Sequence, residues 1–189
     1  MPIGSKQLER LRPLVLLDRD GTINQEVDYL SHPEQLRLLP GAVRGLQRLR
    51  EGGMTLAIVS NQSGVGRGFF TEETLSMIHQ RLRALLAAEG VVIDGIYYCT
   101  HRPEEGCYCR KPKQGLALKA AAELGGDLRQ SFMVGDKACD IQLGKAVGAQ
   151  TILVRTGYGT SYDFTSDPMP DVTVENLEEA SLWILSRIN

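Results

Sequence analysis

The 189-residue chain has no long hydrophobic run: apolar stretches such as Leu14–Leu17 and Leu56–Val59 are four residues each. A membrane span needs roughly 18 or more. The apolar stretch that follows Met1, Lys6 and Arg10 is equally too short for a secretory leader, so a cytoplasmic protein without a membrane partner is expected. Charge bias is missing too: 21 Lys and Arg face 23 Asp and Glu, a net charge of −2. With no basic stripe, general nucleic-acid binding is disfavoured, and any anion site must be a local cluster of basic residues. Aromatics make up only 6% of the chain, and the single Trp183 falls in an apolar terminal helix pattern that reads as core. His32 and His79 stand alone and read as loop and packing residues.

What is present is an alternation of short β-type runs with longer helical patterns. Strands are expected at Leu14–Leu17, Thr55–Val59, Gly95–Cys99, Phe132–Val134 and Thr151–Val154, with a further one at Asp171–Val174. Helices are expected at Ala42–Glu51, from a Thr71 cap to Gly90, at Gln114–Leu124 and at Ala138–Val147, and a last one opens on an Asn176/Glu179 capping box. The alternation specifies an α/β fold around a mainly parallel sheet. In such sheets the chemistry collects just beyond the carboxyl ends of the strands.

The residues at those ends are polar. Asp18-Arg19-Asp20-Gly21-Thr22 follows the first strand and Ser60-Asn61-Gln62-Ser63-Gly64 the second. A cysteine-rich stretch and Arg110-Lys111-Pro112 follow the third, and Gly135-Asp136-Lys137, with Asp140 beyond, the fourth. Asp18, Asp20 and Asp136 converging at one edge would repel one another. A hard divalent cation relieves that conflict, and an all-oxygen donor set points to Mg²⁺. Arg19, Arg110, Lys111 and Lys137, the Ser60 hydroxyl and the backbone N–H groups of the glycine-rich loop Ser63–Gly68 suit a phosphate. An Asp-x-Asp pair offers one carboxylate as nucleophile and the other as general acid/base; the spacing alone does not say which attacks.

Cys99, His101, Cys107 and Cys109 lie within eleven residues. Cys₃His is a closed tetrahedral zinc set, hence structural rather than catalytic. Zn²⁺ would order a loop with little apolar material and aim Arg110 and Lys111, the next two residues, at the phosphate. Cys139 reads as a small helix residue.

Asp18-Arg19-Asp20-Gly21-Thr22, Ser60-Asn61, Lys111 and Gly135-Asp136-x-x-x-Asp140 resemble the four motifs of the haloacid dehalogenase superfamily of phosphohydrolases, over about three-quarters of the chain. The resemblance implies a three-layer α/β/α Rossmann-like domain spanning residues 1–189, and a magnesium-dependent phosphatase. It implies Asp18 as nucleophile, Asp20 as general acid/base, and Ser60 and Lys111 as holders of the phosphoryl group. Mg²⁺ would be held by Asp18, the Asp20 carbonyl and Asp136, with Asp140 in support. The segments Ile23–Gly41 and Ser60–Lys111 leave no room for a cap domain. The cysteine pattern with Arg110-Lys111-Pro112 is similar to a capless branch of that superfamily. This implies a monomer acting on a phosphorylated sugar, a heptose 1,7-bisphosphate destined for the bacterial surface. Histidinol phosphate is the alternative, and a polynucleotide 3′ end a more distant one. Substrate contacts are then expected from Glu26, Val27, Asp28 and Tyr29, from Asn61, Gln62 and Ser63, and from Arg67, Arg110 and Lys137. Arg67 or Arg110 is expected on the phosphate that is not cut.

Overall fold

A computed structural model describes residues 12–188; the N-terminal segment with Lys6 and Arg10 lies outside them. Six strands, β1 (Leu14–Leu17), β2 (Thr55–Asn61), β3 (Gly95–Cys99), β4 (Phe132–Gly135), β5 (Gln150–Val154) and β6 (Val172–Val174), form one sheet in the order β3-β2-β1-β4-β5-β6. Every pairing is parallel. The helices are α1 (Ala42–Glu51), α2 (Ser63–Gly66), α3 (Glu72–Ala88), α4 (Gly115–Leu124), α5 (Ala138–Val147) and α6 (Leu177–Ile188).

β1 is fully buried on both faces, as a central parallel strand must be. Its period-two alternation sorts the core. Val15 and Leu17 pack with Leu46 of α1, Ile78 and Leu82 of α3, and Leu177 and Ile184 of α6. Leu14 and Leu16 face the other way, onto Leu116, Ala117 and Ala120 of α4 and Leu143 of α5. The result is the three-layer sandwich expected from the sequence. Among the described residues no helix is long and apolar enough to cross a membrane.

The register positions the chemistry. Leu17 pairs with Ile58 on one side and Val134 on the other, and the Asp18 N–H donates to the Val134 carbonyl at 2.9 Å. Asp18 therefore emerges between the ends of β2 and β4. Both of those strands run further than the sequence pattern indicates, so Ser60, Asn61 and Gly135 are terminal strand residues rather than loop. The glycine-rich stretch is also corrected. Ser63–Gly66 forms a helical turn, α2, closed by Arg67 N–H to Ser63 O at 2.9 Å. The segment between β1 and α1 holds a 3₁₀ turn, Pro33–Gln35, and isolated bridges of Asn24 to Asp20 and Leu38. At the last helix, Asn176 caps the Glu179 N–H at 3.1 Å, while the Glu179 carboxylate reaches the Glu175 N–H at 3.0 Å, one residue before the cap.

His79 of α3 is buried against the Tyr98 ring, with centroids 5.0 Å apart, and its Nε2 has no partner. Burial and the nearby Arg19 guanidinium push it down to about 3. The unfolded chain takes up this proton below its ordinary value of 6.5 while the folded chain does not, so stability falls as pH drops from 6.5 towards 3. At pH 5 the penalty is about 2 kcal/mol. The urea midpoint of His79→Leu should therefore decline less between pH 7 and pH 5 than that of wild type. Parallel declines would contradict a neutral, buried His79.

Candidate active site

A cavity of about 300 Å³ opens at the carboxyl edge of the sheet, lined by Asp18, Asp20, Ser60 and Lys111 among others. At its floor the Lys111 ammonium is buried. It lies 2.8 Å from Asp18 Oδ1 and 2.6 Å from Asp140 Oδ1, and it donates to the Val59 carbonyl at 2.7 Å. Burial alone would lower its pKa, but the two carboxylates outweigh burial and hold it above the ordinary lysine range. Asn61 fixes the backbone at this point, accepting from the Lys111 N–H at 2.9 Å and donating to the Lys111 carbonyl at 3.1 Å.

The two aspartates of the first motif differ in their surroundings. Asp18 Oδ1 accepts from the Arg19 N–H at 2.8 Å as well as from Lys111; among the described residues its Oδ2 has no donor. The Asp20 carboxylate is instead gripped by the Arg19 guanidinium at 2.8–3.1 Å, by the Asn24 amide at 2.9 Å and by the Gln62 amide at 2.8 Å. Burial raises its pKa, but Arg19, Asn24 and Gln62 together bring it below the ordinary value. Arg19 is itself fully buried and also donates to Gln62 Oε1 at 2.9 Å. This corrects the expectation that Arg19 faces a phosphate: its Nε and Nη2 are spent on Asp20 and Gln62, its Nη1 is buried without a partner, and it does not line the cavity. The Gln62 amide also donates to Ser60 Oγ at 2.8 Å, which orients that hydroxyl.

Asp136 is buried at the end of β4. Its Oδ2 accepts from the Tyr158 N–H at 2.8 Å, whereas Oδ1 is buried and unpartnered. Burial and the Asp18 charge push its pKa up to about 8. Burial does the same to Asp140, to about 6, despite Lys111. Carboxylate oxygens of Asp18, Asp136 and Asp140 lie within 4.8 Å of one another. Asp140 is already engaged by Lys111 and, through Oδ2, by the Lys137 N–H at 3.1 Å, so the free valence is on Asp18 and Asp136. A cation there would satisfy the orphaned Asp136 Oδ1 and reverse the carboxylate conflict. Gly21, at φ +78°, is required here, since a Cβ would run into the Asp136 carboxylate.

The substrate-side expectations divide. Glu26, Val27, Asp28 and Tyr29 line the cavity, as do Asn61, Gln62 and Ser63, and Arg110 and Lys137. Arg110 has a buried Nη1 with no partner. Lys137 pairs with Glu26 at 2.7 Å. Arg67 is not among the lining residues. It follows α2 and points to Glu104, 3.7 Å away. Asn24 and Tyr158 were not anticipated. Asn24 lies within the first motif's extension, four residues after Asp20, a cue that was available; Tyr158 lies in a turn with no motif.

On the β3 side, Cys99, His101, Cys107 and Cys109 bring three Sγ atoms and Nδ1 together. Neighbouring donors are 3.3–3.5 Å apart. Burial raises the Cys99 thiol, whereas Cys107 is drawn to about 7 by backbone N–H groups and neighbouring thiols against its own burial. Four soft donors converging on one point without a disulfide suit a tetrahedral metal.

Comparison with known proteins is consistent with this geometry. A family model described as HAD-hydrolase-like matches residues 108–180. The D-glycero-D-manno-heptose-1,7-bisphosphate 7-phosphatase of Thermosynechococcus vestitus is 40% identical over 193 residues, covering 94% of this chain and 97% of the relative. The D-glycero-beta-D-manno-heptose-1,7-bisphosphate 7-phosphatase of Pseudomonas putida is 44% identical over 147 residues, 77% of this chain and 84% of the relative. The crystal structure of the D,D-heptose 1,7-bisphosphate phosphatase of B. bronchiseptica, complexed with magnesium and phosphate, superposes with a TM-score of 0.87 at 34% identity, covering 93% of this chain and 99% of that one. With the T. vestitus relative and the B. bronchiseptica structure matched over 94% and 93% of the chain, it belongs to the heptose-1,7-bisphosphate 7-phosphatase family of haloacid dehalogenase-like hydrolases.

Proposed function

We propose that this protein removes the 7-phosphate of D-glycero-D-manno-heptose 1,7-bisphosphate through an aspartyl-phosphate formed on Asp18. The observation that carries the reading is the unequal engagement of the two aspartates around a buried Lys111. Asp18 has a free Oδ2 at the cavity, and Asp20 is held beside it by Arg19, Asn24 and Gln62. That asymmetry supports the reading of Asp18 as nucleophile, a choice the sequence spacing leaves open.

In the first step Asp18 Oδ2 forms a bond to phosphorus while the bond from phosphorus to the sugar oxygen breaks. The departing oxygen takes a proton from Asp20. Asp20 is held ionised in the free enzyme, so it must acquire that proton as the negatively charged phosphate binds nearby and raises its pKa. In the second step Asp20, again a carboxylate, takes a proton from water, whose oxygen attacks phosphorus and releases phosphate and free Asp18. Lys111 and the Ser60 hydroxyl hold the phosphoryl oxygens. Mg²⁺, present in the B. bronchiseptica relative, would be held here by Asp18, Asp136 and the Asp20 carbonyl and would supply charge neutralisation of the phosphate.

The remaining cavity residues suit the rest of a sugar bisphosphate. Arg110 carries an unpartnered guanidinium nitrogen for the phosphate that stays, and Asp28 an acceptor for sugar hydroxyls. Arg67 drops out of that role because of its position beside Glu104. Zn²⁺ on Cys99, His101, Cys107 and Cys109 would brace the loop that leads into Arg110 and Lys111.

With Mg²⁺ present, kcat/KM for heptose 1,7-bisphosphate is expected to exceed that for histidinol phosphate by about 100-fold or more, about 2.7 kcal/mol in transition-state binding. Asp18→Asn should abolish turnover of both while leaving the unfolding midpoint within a few degrees of wild type. Equal rates on the two substrates, or turnover by Asp18→Asn, would contradict the assignment.

For the loop, elemental analysis should find one zinc per chain, and Cys107→Ser should lose it. That loss should lower the melting temperature and raise KM, because a closed zinc site contributes directly to folding. Unchanged stability and KM in a zinc-free Cys107→Ser would contradict a bracing role.

A further inference from the structure

Tyr158 takes no part in the hydrolysis outlined above, yet it ties together three pieces of the cavity wall. It sits in the 3₁₀ turn Gly157–Ser161 that follows β5. Its backbone N–H is pinned to Asp136 Oδ2, 2.8 Å away. The Thr156 hydroxyl donates to the Gly21 carbonyl at 2.5 Å, and a Cβ on Gly157 would collide with Asp136. The turn is therefore locked to the aspartate edge. From that fixed base the side chain reaches over the cavity. Lys137 Nζ lies 4.6 Å from the ring centroid, and the phenol O–H donates to Asp28 Oδ1 at 3.2 Å. Tyr158 lines the cavity and the residue is 46% exposed, which is enough to meet a ligand.

Lys137 and Asp28 come from different segments, the end of β4 and the loop after β1. One is an ammonium on a flexible four-carbon stem, and the other is a carboxylate on a loop tip. Without a common support each would have to be ordered at the moment of binding, and that ordering weakens affinity. Glu26 holds Lys137 from one side at 2.7 Å; the Tyr158 ring holds it from the other by cation–π attraction. We propose that Tyr158 is the positioning residue that sets specificity for the non-reacting part of the substrate. It presents Lys137 to an anionic group and Asp28 to hydroxyls as a preformed pair. The proposal rests on the sugar-bisphosphate reading of the site, and it concerns recognition, not the phosphoryl transfer.

The test compares heptose 1,7-bisphosphate with phenyl phosphate, which has neither hydroxyls nor a second phosphate. Tyr158→Phe loses the bond to Asp28 and keeps the ring under Lys137; Tyr158→Leu loses both. Both variants keep the backbone N–H to Asp136, and melting curves check that both fold. The ratio of kcat/KM for the bisphosphate to that for phenyl phosphate should fall about threefold in Tyr158→Phe and tenfold or more in Tyr158→Leu, with the loss in KM rather than kcat. A wild-type ratio retained in Tyr158→Leu, or a parallel loss of kcat on both substrates, would overturn the proposal and leave Tyr158 a structural residue. A wild-type enzyme with no preference for the bisphosphate would overturn the sugar reading, and this proposal with it.

Discussion

The Lys111 ammonium is the one charge on which the rest of the site depends. It is a cation with almost no exposed surface, in contact with Asp18, Asp140 and the Val59 carbonyl. Those partners sit at the ends of β1 and β2 and on α5, so a single group ties together three elements that the sheet brings side by side. Without it, Asp18, Asp136 and Asp140 would face one another in a buried space, and protonation would relieve the conflict. Burial first, and the Asp18 charge second, raise the Asp136 pKa even with Lys111 present. A divalent cation between Asp18 and Asp136 would complete the neutralisation, since Asp140 is already engaged by Lys111 and the Lys137 N–H.

Two loops hold this centre from opposite sides. On one, the convergent donors of Cys99, His101, Cys107 and Cys109 end immediately before Arg110 and Lys111, so ordering that loop sets the path by which Lys111 enters the core. On the other, the turn at Gly157–Ser161 presses on Gly21 and Asp136, with no side chain at Gly21 or Gly157 to keep them apart. Chemistry at a strand edge needs such bracing, because the sheet fixes where each strand ends but not where the next side chain points.

The sheet and the residues at its edge were legible in the sequence because both follow from periodicity. Four-residue apolar runs separated by helical stripes place the strands, and a parallel sheet puts whatever follows each strand on the same edge. Side-chain commitments were less legible. Arg19, between two aspartates, reads as a phosphate ligand until its bidentate grip on Asp20 is seen. Arg67 reads the same way, but the helical turn of α2 carries it away from the cavity towards Glu104. Tyr158 had no local signal: its role depends on how a turn after β5 crosses over β1 and β4, a long-range contact that a motif does not encode. The spacing of Asp18 and Asp20 likewise does not say which of them attacks; in the sequence only the resemblance points to Asp18.

The most direct measurement of the central electrostatic claim is a double-mutant cycle on Lys111 and Asp140, read as unfolding free energy near pH 7. Removing one partner of a buried pair strands the other charge, so Lys111→Met alone should cost about 3–5 kcal/mol. Adding Asp140→Asn to that background should restore a large part of the loss, giving a coupling energy of about 2–3 kcal/mol, towards the upper end of those measured for directly contacting residues. Additive losses, with no recovery in the double variant, would contradict a site organised around the buried Lys111 charge.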